Sequence, residues 1–161
     1  MAGRGEAVID DATLDGYGVM RKRGASDEAI ARAMIRDERA ALAAAEMSVE
    51  PGDRAIVETV VAYGAKELGI AAPRARFFRG AGKTFGGVVY RDFPGEVWLA
   101  GDRPWFAMGE LALHELAHVA HFRDGLPHDA RERDAERFAA RGRHLVRSAA
   151  RAVAQRERGE P

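Results

Sequence analysis

Residues 113–119 read Leu-His-Glu-Leu-Ala-His-Val and place two histidines four positions apart inside an apolar run. In an α-helix, residues four apart lie on one face, so His114 and His118 can both reach a single metal ion. Glu115 stands beside them, where a carboxylate can take a proton from water. The stretch therefore predicts a buried, metal-binding helix around which the other elements fold.

The composition limits the kind of metal site and the kind of partner. The 161 residues include no cysteine, so any zinc must be held by His, Asp or Glu side chains. Lys plus Arg and Asp plus Glu both number 25, and this balance does not favour nucleic acid or an anionic membrane as partner. The first residues lack an apolar leader, and no run reaches the length of a membrane span. We expect a soluble, cytoplasmic protein.

The hydrophobic period predicts an α+β fold in which a short, mostly antiparallel sheet packs on helices. Residues 1–50 are interpreted as an N-terminal helical extension and 51–161 as the metal-binding domain. The last two strands are expected to form a hairpin, and the last helix is expected to carry the remaining ligand. Helices are predicted at about 11–20, 26–46, 53–69, 105–124 and 130–155, and strands at about 75–79, 84–90 and 96–100.

A catalytic zinc takes three protein ligands and one water, so a third ligand must come from outside the motif. The candidates are His121, His128, Glu132 and Glu136. His121 lies ~10.5 Å along the helix axis from His114, which is too far for both to hold one ion. We expect it to support a ligand or to lie at the surface.

The start of the last helix decides between the two glutamates. If that helix begins at Pro127, a favoured first position, Glu132 is level with His118. If it begins after Asp129, Glu136 is level instead, and Glu132 pairs with Asp129 in a capping box.

Residues 132–139, Glu-Arg-Asp-Ala-Glu-Arg-Phe-Ala, resemble the Glu-x-Glu-Ala-Asn/Asp-x-Phe-Ala signature that follows His-Glu-x-x-His in gluzincins. These are the thermolysin-like metallopeptidases, and the likeness is greatest to small members of the ImmA/IrrE type. The resemblance covers roughly residues 84–140. It implies that Glu132 is the third zinc ligand and that Glu136 hydrogen-bonds a ligating histidine. Glu136 replaces the Asn or Asp of the family, and Asp134 replaces its second Glu.

A second resemblance is to SprT-like proteases, which take the third ligand from a histidine shortly after the active helix. That residue would be His128 here. The family usually continues with Gly or Pro and then an aromatic residue, whereas this chain continues with Asp-Ala-Arg.

The chemistry implied is hydrolysis of a peptide bond in a protein or peptide substrate, with one Zn²⁺ per chain. The ion lowers the pKa of its water, and Glu115 acts first as general base and then as general acid. Gluzincins bind substrate antiparallel to an exposed strand edge, which is expected here at Gly86, Gly87 and Val88. The glycine pair allows close approach of a peptide, or else marks a bulge or bend. Tyr63, Tyr90 and His144 are candidate oxyanion donors, and none is assigned.

A different functional class stays open, namely a zinc-stabilised regulator that binds a protein partner without turnover. It would use the N-terminal helices and the Arg-rich last helix, whose arginines otherwise indicate a solvated face. Glu115 favours the enzyme, because a structural zinc usually closes its shell with a fourth protein ligand and needs no base. The oligomeric state does not follow from the sequence.

Overall fold

The computed structural model describes residues 18–81, 83, 85–122, 124 and 126–161. Residues 18–22 are helical, and the rest of the helix predicted at 11–20 lies outside the described residues. Among the described residues, no helix combines the length and the apolar character needed to cross a bilayer. The longer helices are α1 (Asp27–Ala44), α2 (Pro51–Leu68), α3 (Trp105–His121), α4 (His128–Arg141) and α5 (Arg143–Glu157), and the strands are β1 (Arg74–Phe78), β2 (Gly87–Tyr90) and β3 (Phe93–Ala100).

The starts and stops of the first two helices follow local sequence signals. Ser26 caps α1, and its side-chain oxygen accepts a hydrogen bond of 3.1 Å from the amide of Ala29. Pro51 occupies the first turn of α2, where its missing N–H is no loss. Gly69 ends α2 in the left-handed conformation, with φ of 65°. The predicted boundaries of these helices are therefore confirmed to within a few residues.

The three strands form one mixed sheet in the order β1-β3-β2. The predicted hairpin is present, with β2 antiparallel to β3, but β1 runs parallel to β3 along its other edge. The α+β class is confirmed, whereas the mostly antiparallel sheet is replaced by one parallel and one antiparallel pairing. Strand patterns in the sequence specify the strands, but they do not specify which edge of β3 receives β1.

Helices cover both faces of the sheet. On one face, Leu42 of α1 packs in a cluster with Phe78 and Trp98, and the opposite face packs against α2 and α3. Helix α1 lies within the stretch predicted to be an extension, and the domain boundary at residue 50 stays a prediction.

The partly buried carboxylate of Glu96 also links α1 to the sheet. Glu96 of β3 accepts hydrogen bonds from Arg39 of α1 at 2.7 Å, from Trp98 Nε1 at 3.1 Å and from Arg76 at 3.3 Å. Burial alone raises the pKa of Glu96, but the hydrogen bonds outweigh it and hold that pKa below its ordinary value. The charged form of Glu96 is therefore the one that the fold stabilises.

The C-terminal region corrects the prediction of one helix over 130–155. The chain forms two helices, α4 and α5, which meet at Gly142. A Cβ at Gly142 would lie 2.6 Å from Leu113 Cδ1 and 3.0 Å from the carbonyl oxygen of Phe138. The junction therefore needs glycine so that α3 can approach closely. Helix α3 ends at His121, three residues before its predicted end.

Helix α2 also approaches α3 through a glycine. A Cβ at Gly64 would lie 2.8 Å from the terminal methyl groups of both Leu113 and Leu116. Leu113 and Leu116 are fully buried; Leu113 precedes the His-Glu-x-x-His motif and Leu116 lies within it. The packing of α2 thus fixes the position of the motif within the core.

We predict that Gly64→Ala lowers the free energy of unfolding by about 1–3 kcal/mol, because an added methyl group overpacks this contact. Gly52→Ala in the same helix is the matched control, since its Cβ would meet only the flexible end of Glu157, at 3.2 Å. Denaturant unfolding measures both. Equal effects of the two substitutions would contradict the close α2 to α3 contact.

Candidate metal centre

His114 and His118 lie one turn apart on α3, and their imidazoles converge as the sequence predicts. Their Nε2 atoms are 3.1 Å apart and their ring centroids 4.8 Å apart. The residues are only 8% and 5% exposed, respectively. The two ring planes are inclined by 70°, and the two Nε2 atoms converge on a common point.

Glu132 of α4 completes the group. Its Oε2 lies 3.4 Å from His114 Nε2, and its Oε1 lies 2.9 Å from His118 Nε2. Ligands about 2.1 Å from one tetrahedral ion lie roughly 3.4 Å apart. The three separations are close to that value, so His114, His118 and Glu132 could hold one metal ion.

The hydrogen bonding of Glu132 supports this fit. Glu132 Oε1 is buried and accepts no hydrogen bond from the described residues. The distance of 2.9 Å between Glu132 Oε1 and His118 Nε2 is short enough for a hydrogen bond, but the angle between donor and acceptor is not suitable for one. A buried oxygen left in this state is costly unless another group satisfies it, and a cation does so. Two nitrogens and one oxygen suit zinc, and other divalent transition metals accept the same donors.

The start of α4 explains why Glu132 is available. Pro127 occupies the N-cap position, His128 is the first helical residue, and no side chain caps the helix. Asp129 therefore lies inside the first turn, and the capping box between Asp129 and Glu132 is not formed. Because Glu132 does not take part in a capping box, its carboxylate is available to the two histidines, His114 and His118.

The other candidate ligands lie apart from this group. His128 is exposed at the start of α4. Glu136, one turn after Glu132, is exposed and lines an open cavity of about 420 Å³ together with His114. The proposed hydrogen bond from a ligating histidine to Glu136 stays a prediction.

Two of the candidate oxyanion donors have other partners. The hydroxyl group of Tyr90 donates a hydrogen bond to Glu38 at 2.5 Å, within the sheet face that α1 covers. His144 is exposed, and its Nδ1 lies 2.7 Å from the carbonyl oxygen of Arg141. Neither contact favours a role at the metal centre.

Glu115 is buried, 7% exposed, beside the edge strand β2. A Cβ on Gly87 would lie 3.1 Å from Glu115 Cγ and 3.3 Å from Leu99 Cδ2. The sequence indicated either peptide approach or a bend for the glycine pair, and it missed this contact with Glu115. It also missed Arg103, whose guanidinium lies 2.7 Å from the position of a Cβ on Gly86. In the sequence, Gly86 and Gly87 were the only indication that other side chains approach the strand closely at these two positions.

No protein-family model, no curated protein and no solved structure matches the chain. The functional interpretation therefore depends on the residues and distances given above.

We predict that the protein binds one Zn²⁺ per chain and that Glu132→Ala weakens this binding far more than His128→Ala. Loss of a hydrogen bond to a ligand typically lowers metal affinity about 10–100-fold, and loss of a ligand should exceed that. Competition with a chromophoric chelator measures the dissociation constants. If His128→Ala abolished binding while Glu132→Ala did not, the third ligand would be His128, as in SprT-like proteases.

Proposed function

We propose that the protein is a zinc-dependent metallopeptidase that hydrolyses peptide bonds in a protein substrate. The observation that carries the proposal is that a group of only three candidate ligands includes His114, which the buried Glu115 directly follows on α3. Among the described residues, no fourth His, Asp or Glu joins His114, His118 and Glu132. A three-ligand set leaves a position open, which is the arrangement of catalytic rather than structural zinc.

Glu115 is the residue proposed to move protons. When bound, the ion would supply a Lewis acid that polarises the scissile carbonyl and makes water more acidic. The carboxylate of Glu115 would accept the proton of the attacking water and return it to the leaving amine. Its burial against Gly87 limits the directions in which the side chain can turn. Such restraint favours proton transfer in one geometry.

The edge strand β2 is proposed to bind the substrate backbone. Gly86 accepts a hydrogen bond of 2.8 Å from the amide of Ala100 and so faces β3. Successive residues of an antiparallel strand face opposite ways, which directs the N–H and C=O of Gly87 away from β3. All four residues of β2 are buried, so a peptide would have to displace the groups that cover this edge. An extended peptide could pair there by strand addition. Its backbone would then lie next to Glu115.

The gluzincin type is favoured over the SprT type, because Glu132 rather than His128 lies with the two histidines. The resemblance of residues 132–139 to the gluzincin signature points the same way. Both observations concern the third ligand.

We predict that Glu115→Gln retains zinc and lowers peptide hydrolysis by about 10²–10⁴-fold, because the amide cannot accept the proton. Cleavage of an unfolded, casein-like substrate measures activity, and metal analysis of the same sample is the control. Full activity in this variant would sink the proposed mechanism. A wild-type protein that binds zinc but cleaves neither this substrate nor a peptide library would favour the non-catalytic regulator.

We predict that Gly87→Ala lowers kcat and leaves zinc affinity unchanged. The new methyl group would displace Glu115 without touching the three ligands, and a misplacement of about 1 Å can cost ~10²-fold in rate. Gly95→Ala in β3 is the matched control, because a Cβ there would meet nothing within 4 Å. Steady-state kinetics and chelator competition on both variants test the idea, which fails if Gly87→Ala behaves like Gly95→Ala.

A further inference from the structure

A third buried histidine lies next to the metal centre and is not used by the mechanism. His121 is the last residue of α3 and is 3% exposed. Its Nε2 lies 2.6 Å from Oδ2 of Asp134 on α4. Its ring also contacts that of His118, with centroids 5.6 Å apart and planes inclined by 70°. His121 therefore touches both a proposed ligand and the helix that carries another.

The two nitrogens of His121 have different surroundings. A carboxylate of Asp134 only accepts hydrogen bonds, so Nε2 carries the proton and donates it. His121 Nδ1 is buried and has no hydrogen-bond partner among the described residues. Among the described residues, the hydrogen bond to Asp134 is therefore the one that orients the imidazole of His121.

The beginning of α4 has few other anchors. The buried residues of α4 are Ala135, Phe138 and Ala139, all after Glu132, and no side chain caps its first turn. The contact between His121 and Asp134 is therefore a directional link from α3 to the part of α4 that presents Glu132. It lies two residues beyond Glu132 in sequence.

We propose that His121 and Asp134 form a latch that holds the middle of α4 against α3, two residues after Glu132, and so positions Glu132 for metal binding. Both are positioning residues and not ligands. The inference rests on the metal centre of the proposed function, but it does not rest on peptide hydrolysis.

The test is the zinc dissociation constant of latch variants, measured by competition with a chromophoric chelator. His121→Phe keeps an apolar ring and removes the donor, and it should weaken zinc binding about 10–100-fold. His121→Gln places an N–H donor near the position of Nε2 and should restore most of the affinity. Asp134→Ala should match His121→Phe, and it alters a side chain that is 54% exposed, which the fold tolerates.

The control variant is Arg156→Ala, which removes a hydrogen bond of 3.1 Å between α5 and Thr59 of α2. Thermal unfolding of the metal-free proteins measures the general cost of losing a contact between helices. The latch predicts a loss of zinc affinity in His121→Phe and Asp134→Ala but not in Arg156→Ala. Unchanged zinc affinity in both latch variants would overturn it.

A double-mutant cycle separates positioning of Glu132 from support of the His118 ring. In a Glu132→Ala background, the latch has no ligand to position, so His121→Phe should cause little further loss of affinity. A loss as large as in the wild-type background would overturn the latch. None of these experiments measures hydrolysis. Their results can therefore be interpreted even if the protein is not a peptidase.

Discussion

Close approach of neighbouring backbones to α3 is the constraint on which the rest of the structure depends. Gly64 of α2, Gly87 of β2 and Gly142 between α4 and α5 each face a side chain of α3 at a distance that a methyl group would obstruct. Two of these contacts involve Leu113, next to the first histidine, and the third involves Glu115. Three glycines from distant parts of the chain thus surround one turn of helix and determine where its polar side chains point.

Because α3 is surrounded so closely, its polar side chains are buried, and burying them costs free energy. His114, Glu115, His118 and His121 are all buried, and a buried polar group is costly without a partner. His121 has Asp134 as its partner, and the imidazoles of His114 and His118 lie close to each other and to Glu132. A metal ion would satisfy both imidazoles and the carboxylate together. The buried polar side chains of α3 therefore depend for partners on Glu132 and Asp134 of α4.

The features predicted from the sequence are those with local causes. Ser26 and Pro51 start helices through contacts within one turn, and the two histidines share a face through helix geometry alone. The features that the sequence did not predict depend on contacts between residues that are far apart in the chain. Nothing near Gly142 in sequence reveals that Leu113 occupies the space beside it, and no pattern in β1 indicates pairing with the far edge of β3. The partner of His121 was likewise missed, because it lies on another helix.

The position of Glu132 depends both on local sequence and on contacts between distant residues. This explains why the sequence alone did not decide which residue is the third candidate ligand. Its distance along α4 depends on where that helix starts, and a shift of one residue turns every side chain by about 100°. Pro127 at the N-cap fixes the start, which is a local effect, whereas the approach of α4 to α3 depends on packing around Ala135 and Phe138. A helix begun after Asp129 would have used Glu132 in a capping box and would have placed Glu136, instead of Glu132, level with His118. The grouping of Glu132 with His114 and His118 therefore follows from one proline and from the packing that brings α4 to α3.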